Sequence, residues 1–260
     1  PLKANVKYRR GGNGHFHSRL AELDTTSNID ILFLGSSHTY RNFDTEYFSN
    51  KRLTSFNLGS SSQTPEVTFA LLDEYLEQLN SEVIVYEVYP DMIFESRLES
   101  RIDLISNLPL SRSSCILSLP KLGVDEINTA IVSFWDKIIS RNFIENAQKG
   151  NDTYIHGGYV KNEGIREQFD EIESINIDLN HEGFEQFKLN VRFLEQKVPN
   201  VFLVFAPLPS DTYVLYKNQI DTINQMYSKV GIYKNYNGIA LNDTLHFKDD
   251  DHLKHSGVQI

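Results

Sequence analysis

Three short segments of this chain contain residues of the types that perform nucleophilic catalysis. Gly35-Ser36-Ser37 supplies hydroxyls at a turn, Gly59 closes a second predicted strand, and Asp249-Asp250-Asp251-His252 places a carboxylate three residues before an imidazole. A histidine oriented by a carboxylate takes the proton of a serine hydroxyl, which then attacks an ester carbonyl. Each segment also has an ordinary structural explanation, as a helix N-cap, a loop glycine or an acidic surface loop. The case for chemistry therefore depends on their occurring together.

Two predicted strands precede the first two segments and position them. Ile29–Leu34 precedes the serine turn, and Leu53–Leu58 ends at Gly59. Val83–Val88 is a third, nearly continuous apolar run, as is typical of a strand buried on both faces. Parallel α/β sheets bind their ligands outside the carboxyl ends of the strands. Ser37 is therefore predicted to start a helix at this edge, where its own amide and that of Gly59 can stabilise an oxyanion.

The rest of the chain mostly alternates strands with helices, which predicts an α/β fold. We expect a three-layer α/β/α sandwich with a mostly parallel, flavodoxin-like sheet, forming one domain over residues 1–260. Apolar residues recur at helical spacing in Pro65–Leu79, with the proline placed to start the helix. Further predicted elements are helices over 182–196 and 212–230, a strand over 201–206, and a last strand near Ile232 or over 239–241.

The alternation fails between about residues 91 and 161, which predicts a helical and irregular insertion that caps the sheet. Two Leu-Pro dipeptides separate its helical pieces, and a polar stretch rich in Asn and Gly follows around residues 149–152. Phe134 and Trp135 within the insertion offer a sugar-stacking surface, although packing is the commoner use of such residues.

The choice of catalytic base lies between two histidines of the tail. His252 follows Asp249 by three residues, within reach of a carboxylate one turn away, whereas His255 follows it by six. We therefore predict that His252 is the base and that Asp249 orients it. His38 directly follows the serine and is predicted to line the pocket or to donate to substrate. A neighbouring residue on a helical turn faces another way, so His38 is not the predicted base.

Composition excludes several classes of function. Acidic residues outnumber basic ones by 35 to 25, and the net charge of -10 gives no general attraction to nucleic acid. The single cysteine, Cys115, can form neither an intrachain disulfide nor a cysteine-based zinc site. The histidines at 15, 17 and 246 and the aspartate run complete no metal-ligand pattern, and no phosphate-binding glycine motif occurs. No cofactor and no metal are expected.

Taken in order, the three segments resemble the motifs of the SGNH (GDSL) hydrolase family. Gly35-Ser36-Ser37 matches the Gly-x-Ser turn of its first block, Gly59 the glycine of its second, and Asp249-x-x-His252-Leu253 with Gly257 its last. The resemblance implies the SGNH fold from about residue 29 to the end, apart from the insertion, with Ser37 as nucleophile. The sequence Gly-Ser-Ser-His is similar to a variant branch whose members are commonly envelope-associated bacterial proteins.

Two positions depart from the family pattern. The Gly-x-Asn-Asp of the third block is missing, and the chain reads Tyr86–Asp91 after the third strand, without the usual asparagine oxyanion donor. Losing one such donor costs on the order of a hundredfold in rate. Tyr89 and Asn57 are the candidates to replace it. Ser36 stands where the family has an aspartate that acts in support.

The sequence also bears on membranes and location. No stretch of 18 apolar residues occurs, so no membrane span is expected in this chain. The basic run Lys7-Tyr8-Arg9-Arg10 is either a juxtamembrane segment or a solvated terminus, of which the second is commoner. The family's habit and the lack of an initiator methionine lead us to expect an extracytoplasmic, envelope-associated or periplasmic protein with an upstream signal or anchor.

These residues predict a serine esterase that removes an acyl group, such as acetyl, from a carbohydrate or other small ester. The same acyl-enzyme serves an O-acyltransferase when a sugar hydroxyl replaces water as the acceptor. The missing third-block asparagine leaves open a third class, a cell-envelope binding or assembly protein with weak catalysis. The sequence leaves the oligomeric state open.

Overall fold

A parallel sheet of five strands forms the centre of the molecule. The computed structural model describes residues 8–94, 98–140, 143–166 and 181–260, so Lys7 of the basic run lies outside the described residues. The strands in this part of the chain are β1 (Ile31–Leu34), β2 (Ser55–Asn57), β3 (Val83–Glu87), β4 (Gln148–Lys149), β5 (Asp152–Ile155), β6 (Tyr159–Asn162), β7 (Asn200–Phe205) and β8 (Ile232–Asn235). The central sheet has the order β2-β1-β3-β7-β8 with every neighbouring pair parallel. The predicted α/β, flavodoxin-like fold class is confirmed.

Helices flank this sheet and form the insertion. In the described residues they are α1 (Phe16–Leu23), α2 (Ser37–Asn42), α3 (Thr45–Asn50), α4 (Pro65–Leu79), α5 (Pro90–Phe94), α6 (Leu98–Asn107), α7 (Val124–Ile139), α8 (Glu182–Lys197), α9 (Ser210–Leu215), α10 (Ile220–Val230), α11 (Asp243–His246) and α12 (His255–Val258). Two 3-10 helices span Asn13–His15 and Leu110–Ser118.

One detail of the predicted elements was wrong. The single helix predicted over 212–230 is two helices, α9 and α10, separated by a turn over 216–219. Tyr216 begins that turn with its side chain buried in the core, and its hydroxyl donates to the hydroxyl of Tyr89 at 3.2 Å. The buried Tyr216 lies at the break between the two helices, whereas the apolar spacing over residues 212–230 taken alone predicts one continuous helix. Of the two positions predicted for the last strand, the one near Ile232 is confirmed, since the strand spans Ile232–Asn235, and residues 239–241 form no strand.

The main core lies on one face of the central sheet. Leu32 and Leu34 of β1, Ile84 of β3 and Leu203 of β7 are completely buried there against α4, α8 and α10. Because successive side chains of a strand point to opposite faces, the intervening residues line the other face. That second face carries α3 and α12 beside an apolar groove of about 470 Å³.

Strand order brings the predicted site segments to one edge. β1 lies between β2 and β3, with Phe33 opposite Asn57 and Leu34 opposite Tyr86. The chain leaves all three strands at their carboxyl ends, so the serine turn, the Gly59 loop and the residues after β3 meet there.

The insertion is more regular than the sequence predicts. The polar stretch predicted to be irregular forms an antiparallel sheet of β4, β5 and β6. In that sheet Asp152 accepts a bidentate ion pair from Arg41 of α2, at 3.0 and 2.9 Å, and β6 packs against α2. The insertion therefore braces the helix that begins at Ser37. Among the described residues, no helix is long and apolar enough to cross a bilayer.

Candidate active site

Ser37 occupies the first position of α2, directly after the turn that ends β1. Gly35 in that turn has φ +133°. A Cβ atom there would lie 2.5 Å from Oγ1 of Thr39 and 2.7 Å from the carbonyl oxygen of Glu87, so only glycine fits. The first N–H groups of a helix have no acceptor within it, and the Ser37 amide is therefore available to a developing oxyanion.

The C-terminal tail returns to this turn and brings His252 to Ser37. Phe247 and Leu253 form an isolated antiparallel bridge, and the N–H of Lys248 donates to the carbonyl of His252 at 2.8 Å. The aspartate run is thus the tip of a tight loop. Nε2 of His252 lies 2.7 Å from Oγ of Ser37, which is hydrogen-bond reach for proton transfer from a nucleophile to its base.

Asp249 holds the far side of the His252 ring. Its two carboxylate oxygens lie 2.9 and 3.1 Å from Nδ1 of His252. Oδ1 also accepts the backbone N–H groups of His252 and Asp251, and Lys248 Nζ lies 3.1 Å from Oδ2. Burial by itself raises the pKa of Asp249, but the charge and hydrogen bond of His252 and the charge of Lys248 outweigh it and hold that pKa well below its usual range. Asp249 is therefore a fixed negative charge behind the imidazole.

A second carboxylate, that of Asp251, reaches the same nitrogen. Its Oδ1 lies 2.5 Å from Nδ1 of His252. Burial lowers the pKa of His252, yet the charges and hydrogen bonds of Asp251 and Asp249 outweigh burial and raise this pKa to about 10. At neutral pH the imidazole is therefore mostly protonated. The sequence pattern indicates no role for Asp251, because one carboxylate three residues upstream of the histidine satisfies it.

His38 supports the base from behind. It is buried, and its ring stacks on that of His252 with centroids 4.8 Å apart and planes 21° apart. Burial lowers the pKa of His38 to about 4, so the ring is neutral. Ser36 Oγ lies 3.0 Å from Nδ1 of His38 and donates to Glu87 Oε2 at 3.1 Å. Burial also raises the pKa of Glu87 to about 8, against the hydrogen bonds from Ser36. Ser36 and His38, both predicted pocket residues, thus form a buried chain that fixes the wall behind His252.

The two candidates for a third oxyanion donor lie elsewhere. Nδ2 of Asn57 donates to the carbonyl of Phe43 at 2.9 Å, so that amide holds the loop after α2 in place. The Tyr89 ring packs against the His38 ring with centroids 4.2 Å apart, and the Tyr89 hydroxyl accepts a hydrogen bond from the hydroxyl of Tyr216. The structure therefore brings neither polar group into contact with Ser37.

The structure also shows the contacts of His255, the alternative base, and of the side chains that could bind a metal ion. His255 Nδ1 lies 2.9 Å from the hydroxyl of Tyr159, so that ring is engaged away from the serine. Ligand-type atoms of His38, Asp251 and His252 lie within 4.8 Å of one another. Both ring nitrogens of His252 already have partners, Ser37 on one side and carboxylates on the other. This arrangement suits proton transfer better than metal binding.

Gly59 packs directly on the serine turn. A Cβ atom at this position would lie 2.7 Å from the carbonyl oxygen of Ser36 and 2.7 Å from Cβ of Thr39. The carbonyl of Gly59 accepts from Nη1 of Arg19 at 2.8 Å, and the same buried guanidinium donates to the carbonyls of Gly14 and Gly158. Arg19 therefore ties three segments together and fixes the Gly59 loop against the serine turn.

Replacing Gly59 with alanine is expected to push this loop away from the serine turn. We expect unfolding to become easier by about 1–3 kcal/mol because the added methyl overpacks the turn. We also expect kcat to fall by roughly a hundredfold, because one oxyanion donor moves. Denaturant unfolding and p-nitrophenyl acetate turnover measure the two effects. Gly238→Ala is the matched control, since nothing lies within 4 Å of a Cβ there; equal behaviour of the two variants would contradict the assignment.

Sequence reasoning missed Asp251, Glu87, Arg19 and Lys248. Glu87 did leave a signal, since it is the only charged residue in the run Val83–Val88. Arg19 left none, because its partners are backbone carbonyls from distant parts of the chain.

Ser37, His252 and Asp249 have the geometry of a Ser-His-Asp triad at the carboxyl edge of a parallel sheet. No protein-family model and no curated protein sequence matches the chain.

Proposed function

We propose that this protein is a serine esterase of the SGNH type that removes an acyl group, such as acetyl, from a carbohydrate or other small ester. The observation that carries the proposal is the 2.7 Å contact between Ser37 Oγ and His252 Nε2, with Asp249 on the opposite ring nitrogen. Residues 37 and 252 are 215 positions apart in the chain, so their contact is made by the fold and not by neighbourhood in sequence.

Each residue has one step in the proposed reaction. Neutral His252 takes the hydroxyl proton as Ser37 Oγ attacks the ester carbonyl, and the amides of Ser37 and Gly59 stabilise the resulting oxyanion. His252 then gives its proton to the departing alcohol oxygen, which leaves an acyl-serine. A water molecule, deprotonated by His252, attacks that acyl group, and collapse of the second intermediate returns the proton to Ser37. Asp249 orients the imidazole and stabilises its charged form throughout.

Two features of the site favour slow turnover. The described residues offer two backbone amides to the oxyanion and no asparagine side chain, and His252 is mostly protonated at neutral pH, since its pKa is about 10. If a sugar hydroxyl enters in place of water, the same acyl-serine gives an O-acyltransferase. Supplying acceptor alcohols during turnover and measuring acylated product against free acid distinguishes the two.

A fluorophosphonate probe tests the nucleophile directly. We expect the probe to label wild-type protein on the peptide containing Ser37, and Ser37→Ala to lose both labelling and p-nitrophenyl acetate turnover. Ser27→Ala is the control, since Ser27 is exposed and lies outside the serine turn. Labelling and turnover that are the same in wild type and Ser37→Ala would overturn the esterase and favour a binding or assembly protein on this fold.

A further inference from the structure

A pocket of about 290 Å³ lies between residues 9–13 and helix α6. The residues that line it are Arg9, Asn13, Leu98, Glu99, Ile102 and Asp103. Arg9, Asn13 and Glu99 are exposed and form its rim, whereas Ile102 and Asp103 are buried and form its floor. None of these residues belongs to the proposed triad or oxyanion hole. The pocket combines apolar surface with a few polar groups, as small-molecule sites do.

Hydrogen bonds hold the two walls of this pocket together. Oδ1 of Asn107 in α6 accepts from the N–H of Gly11 at 2.8 Å, and its Nδ2 donates to the carbonyl of Arg9 at 3.3 Å. The N–H of Arg9 donates to Oγ of Ser106, also in α6, at 3.1 Å. Because the backbone of one wall is bonded to side chains of the other, the pocket is formed before any ligand binds.

The carboxyl group of Asp103, at the floor of the pocket, has one oxygen without a partner. The residue is 7% exposed, and its Oδ1 accepts from Nδ2 of Asn107 at 2.8 Å. Oδ2 is buried and has no hydrogen-bond partner among the described residues. Burial raises the pKa of Asp103 to about 8, although the charge of Arg19 lowers it, so the group is mostly neutral at pH 7. Buried polar groups rarely lack a partner, and a ligand hydroxyl would supply one here.

The rim of the pocket is close to the serine turn. Gly59 packs on that turn, and the chain from Gly59 to Ser62 spans at most about 10 Å. Oγ of Ser62 lies 3.5 Å from Oε2 of Glu99 at the rim. A substrate that places its ester group at Ser37 therefore has this pocket within reach of a neighbouring unit of the same molecule.

The polar groups of the pocket suit the hydroxyls of a neutral sugar ring. The carboxylate of Glu99 accepts hydrogen bonds, the guanidinium of Arg9 donates them, and the amide of Asn13 does both. A hydroxyl group also donates and accepts, so adjacent sugar hydroxyls can use all three. Arg9 and Glu99 carry opposite charges and the neutral form of Asp103 adds none, so the pocket has no net charge to attract an ion. Its apolar side chains offer a surface to the C–H groups of the ring.

We propose that this pocket holds a neutral sugar unit of an oligosaccharide or polysaccharide whose neighbouring, acylated unit lies at Ser37. The inference rests on the proposed esterase, and it makes the substrate a carbohydrate instead of another small ester. An amino sugar with a free ammonium group is the competing occupant. It would need an excess of negative charge, which Arg9 offsets at the rim.

Calorimetric titration of the full chain carrying Ser37→Ala tests the pocket without turnover. The probes are three neutral tetrasaccharides, xylotetraose, cellotetraose and N-acetylchitotetraose, and the cationic, deacetylated chitosan tetramer. We expect at least one neutral tetrasaccharide to bind. Glu99→Ala and Asp103→Ala in that background should each raise its Kd by about tenfold or more, because each removes a hydrogen-bonding group. Glu195→Ala, at an exposed glutamate of α8, is the matched control and should bind like its parent.

Turnover gives a second readout in the chain that keeps Ser37. The substrate is the acetylated form of the tetrasaccharide that binds. We expect the ratio of its kcat/KM to that of p-nitrophenyl acetate to fall by about tenfold or more in Glu99→Ala and Asp103→Ala, because the small ester is too short to reach the pocket. An unchanged unfolding midpoint shows that each variant is folded.

Three outcomes would overturn the proposal. One is a wild-type protein that hydrolyses p-nitrophenyl acetate while no neutral tetrasaccharide binds Ser37→Ala, which leaves the esterase in place without this pocket. Another is equal affinity in Glu99→Ala, Asp103→Ala and the control. The third is tighter binding of the chitosan tetramer, which assigns the pocket to a cation. Tetrasaccharide binding that Glu99→Ala weakens, in a protein without any esterase activity, would instead overturn the proposed function and keep the carbohydrate pocket.

Discussion

Substituting Asp249 with asparagine is expected to lower kcat for p-nitrophenyl acetate by about 10⁴-fold. Oδ1 of Asp249 accepts from Nδ1 of His252 and from two backbone N–H groups. An asparagine keeps its carbonyl oxygen on those N–H groups and turns its NH₂ toward Nδ1. The NH₂ favours an unprotonated Nδ1, in competition with the carboxylate of Asp251 at 2.5 Å, and in that tautomer Nε2 carries the proton and cannot accept one from Ser37. The fold is expected to survive, because the loop keeps most of its hydrogen bonds.

Asp250 and Asp251, the neighbours of Asp249 in the aspartate run, provide the control variants for this substitution. Asp250 pairs with Arg166 at 3.2 Å, so Asp250→Asn is expected to turn over within a fewfold of wild type. Asp251→Asn leaves Asp249 in place and should keep most of the activity at its own optimal pH. If Asp249→Asn retained more than a tenth of wild-type kcat while Asp251→Asn lost it, Asp251 would be the orienting carboxylate.

The second large effect is a dependence of the rate on pH. His252 must be neutral to take the serine proton, and its pKa in the folded protein is about 10. We therefore expect kcat/KM to rise by about tenfold per pH unit from neutral pH until it levels near pH 10. Turnover of p-nitrophenyl acetate across this range measures the rise, after subtraction of the rate with Ser37→Ala, which accounts for hydrolysis by hydroxide.

Removing one carboxylate should move this pH profile. Asp251 raises the pKa of His252 by its charge, so Asp251→Asn is expected to lower that pKa and move the rising part of the profile to lower pH. A larger fraction of His252 is then neutral at pH 7, and the rate at that pH is expected to rise in proportion to that fraction. An unchanged profile in this variant would show that Asp251 does not act on the base.

The free energy of unfolding is also expected to depend on the protonation of His252, but it should fall with rising pH where the activity rises. The folded-state pKa of His252 is raised above its unfolded value of 6.5, so the folded protein binds the proton more tightly. The resulting stabilisation is fully present below pH 6.5 and is lost as the pH rises through about 10. Activity and the free energy of unfolding are therefore expected to change in opposite directions over the alkaline range, which denaturant unfolding at several pH values measures.

The contact between Ser36 and Glu87 explains why the Gly-Ser-Ser-His turn has a serine at position 36. The aspartate that the family pattern has at position 36 would place a second carboxyl group beside the buried Glu87, and two carboxyl groups that share one buried site cannot both ionise without a large cost in free energy. A hydroxyl instead donates to Glu87 and lies within hydrogen-bond distance of His38. The variant turn and the acid at the end of β3 are therefore parts of one arrangement, and the ring of His38 is its contact with the base.

Local residue patterns were enough to predict the sheet and the order of the site segments. The unbroken apolar stretches Ile31–Leu34 and Val83–Tyr86 lie in parallel strands, because such stretches suit burial on both faces of a sheet. Helix α4 was predicted to its end residues, since Pro65 starts it and the apolar spacing continues to Leu79. Gly35 and Gly59 were located because glycine is required wherever backbone approaches backbone this closely.

Which side chains meet depends instead on contacts between distant parts of the chain. Whether Asp249 or Asp251 reaches His252, and whether Asn57 points to the site or to Phe43, depends on loop conformations that no local pattern encodes. The buried guanidinium of Arg19 donates to the carbonyl of Gly158, which is 139 residues away in the chain.

Helix α7 shows the same limit, because its amphipathic pattern is the same whichever side faces inward. In the fold its polar side faces inward, where Ser133 and Lys137 donate to the carbonyl of Ile105 in α6. Phe134 and Trp135 are exposed on the opposite side. Its partners in α6 and the N-terminal segment set that orientation, and they are adjacent only in the folded chain.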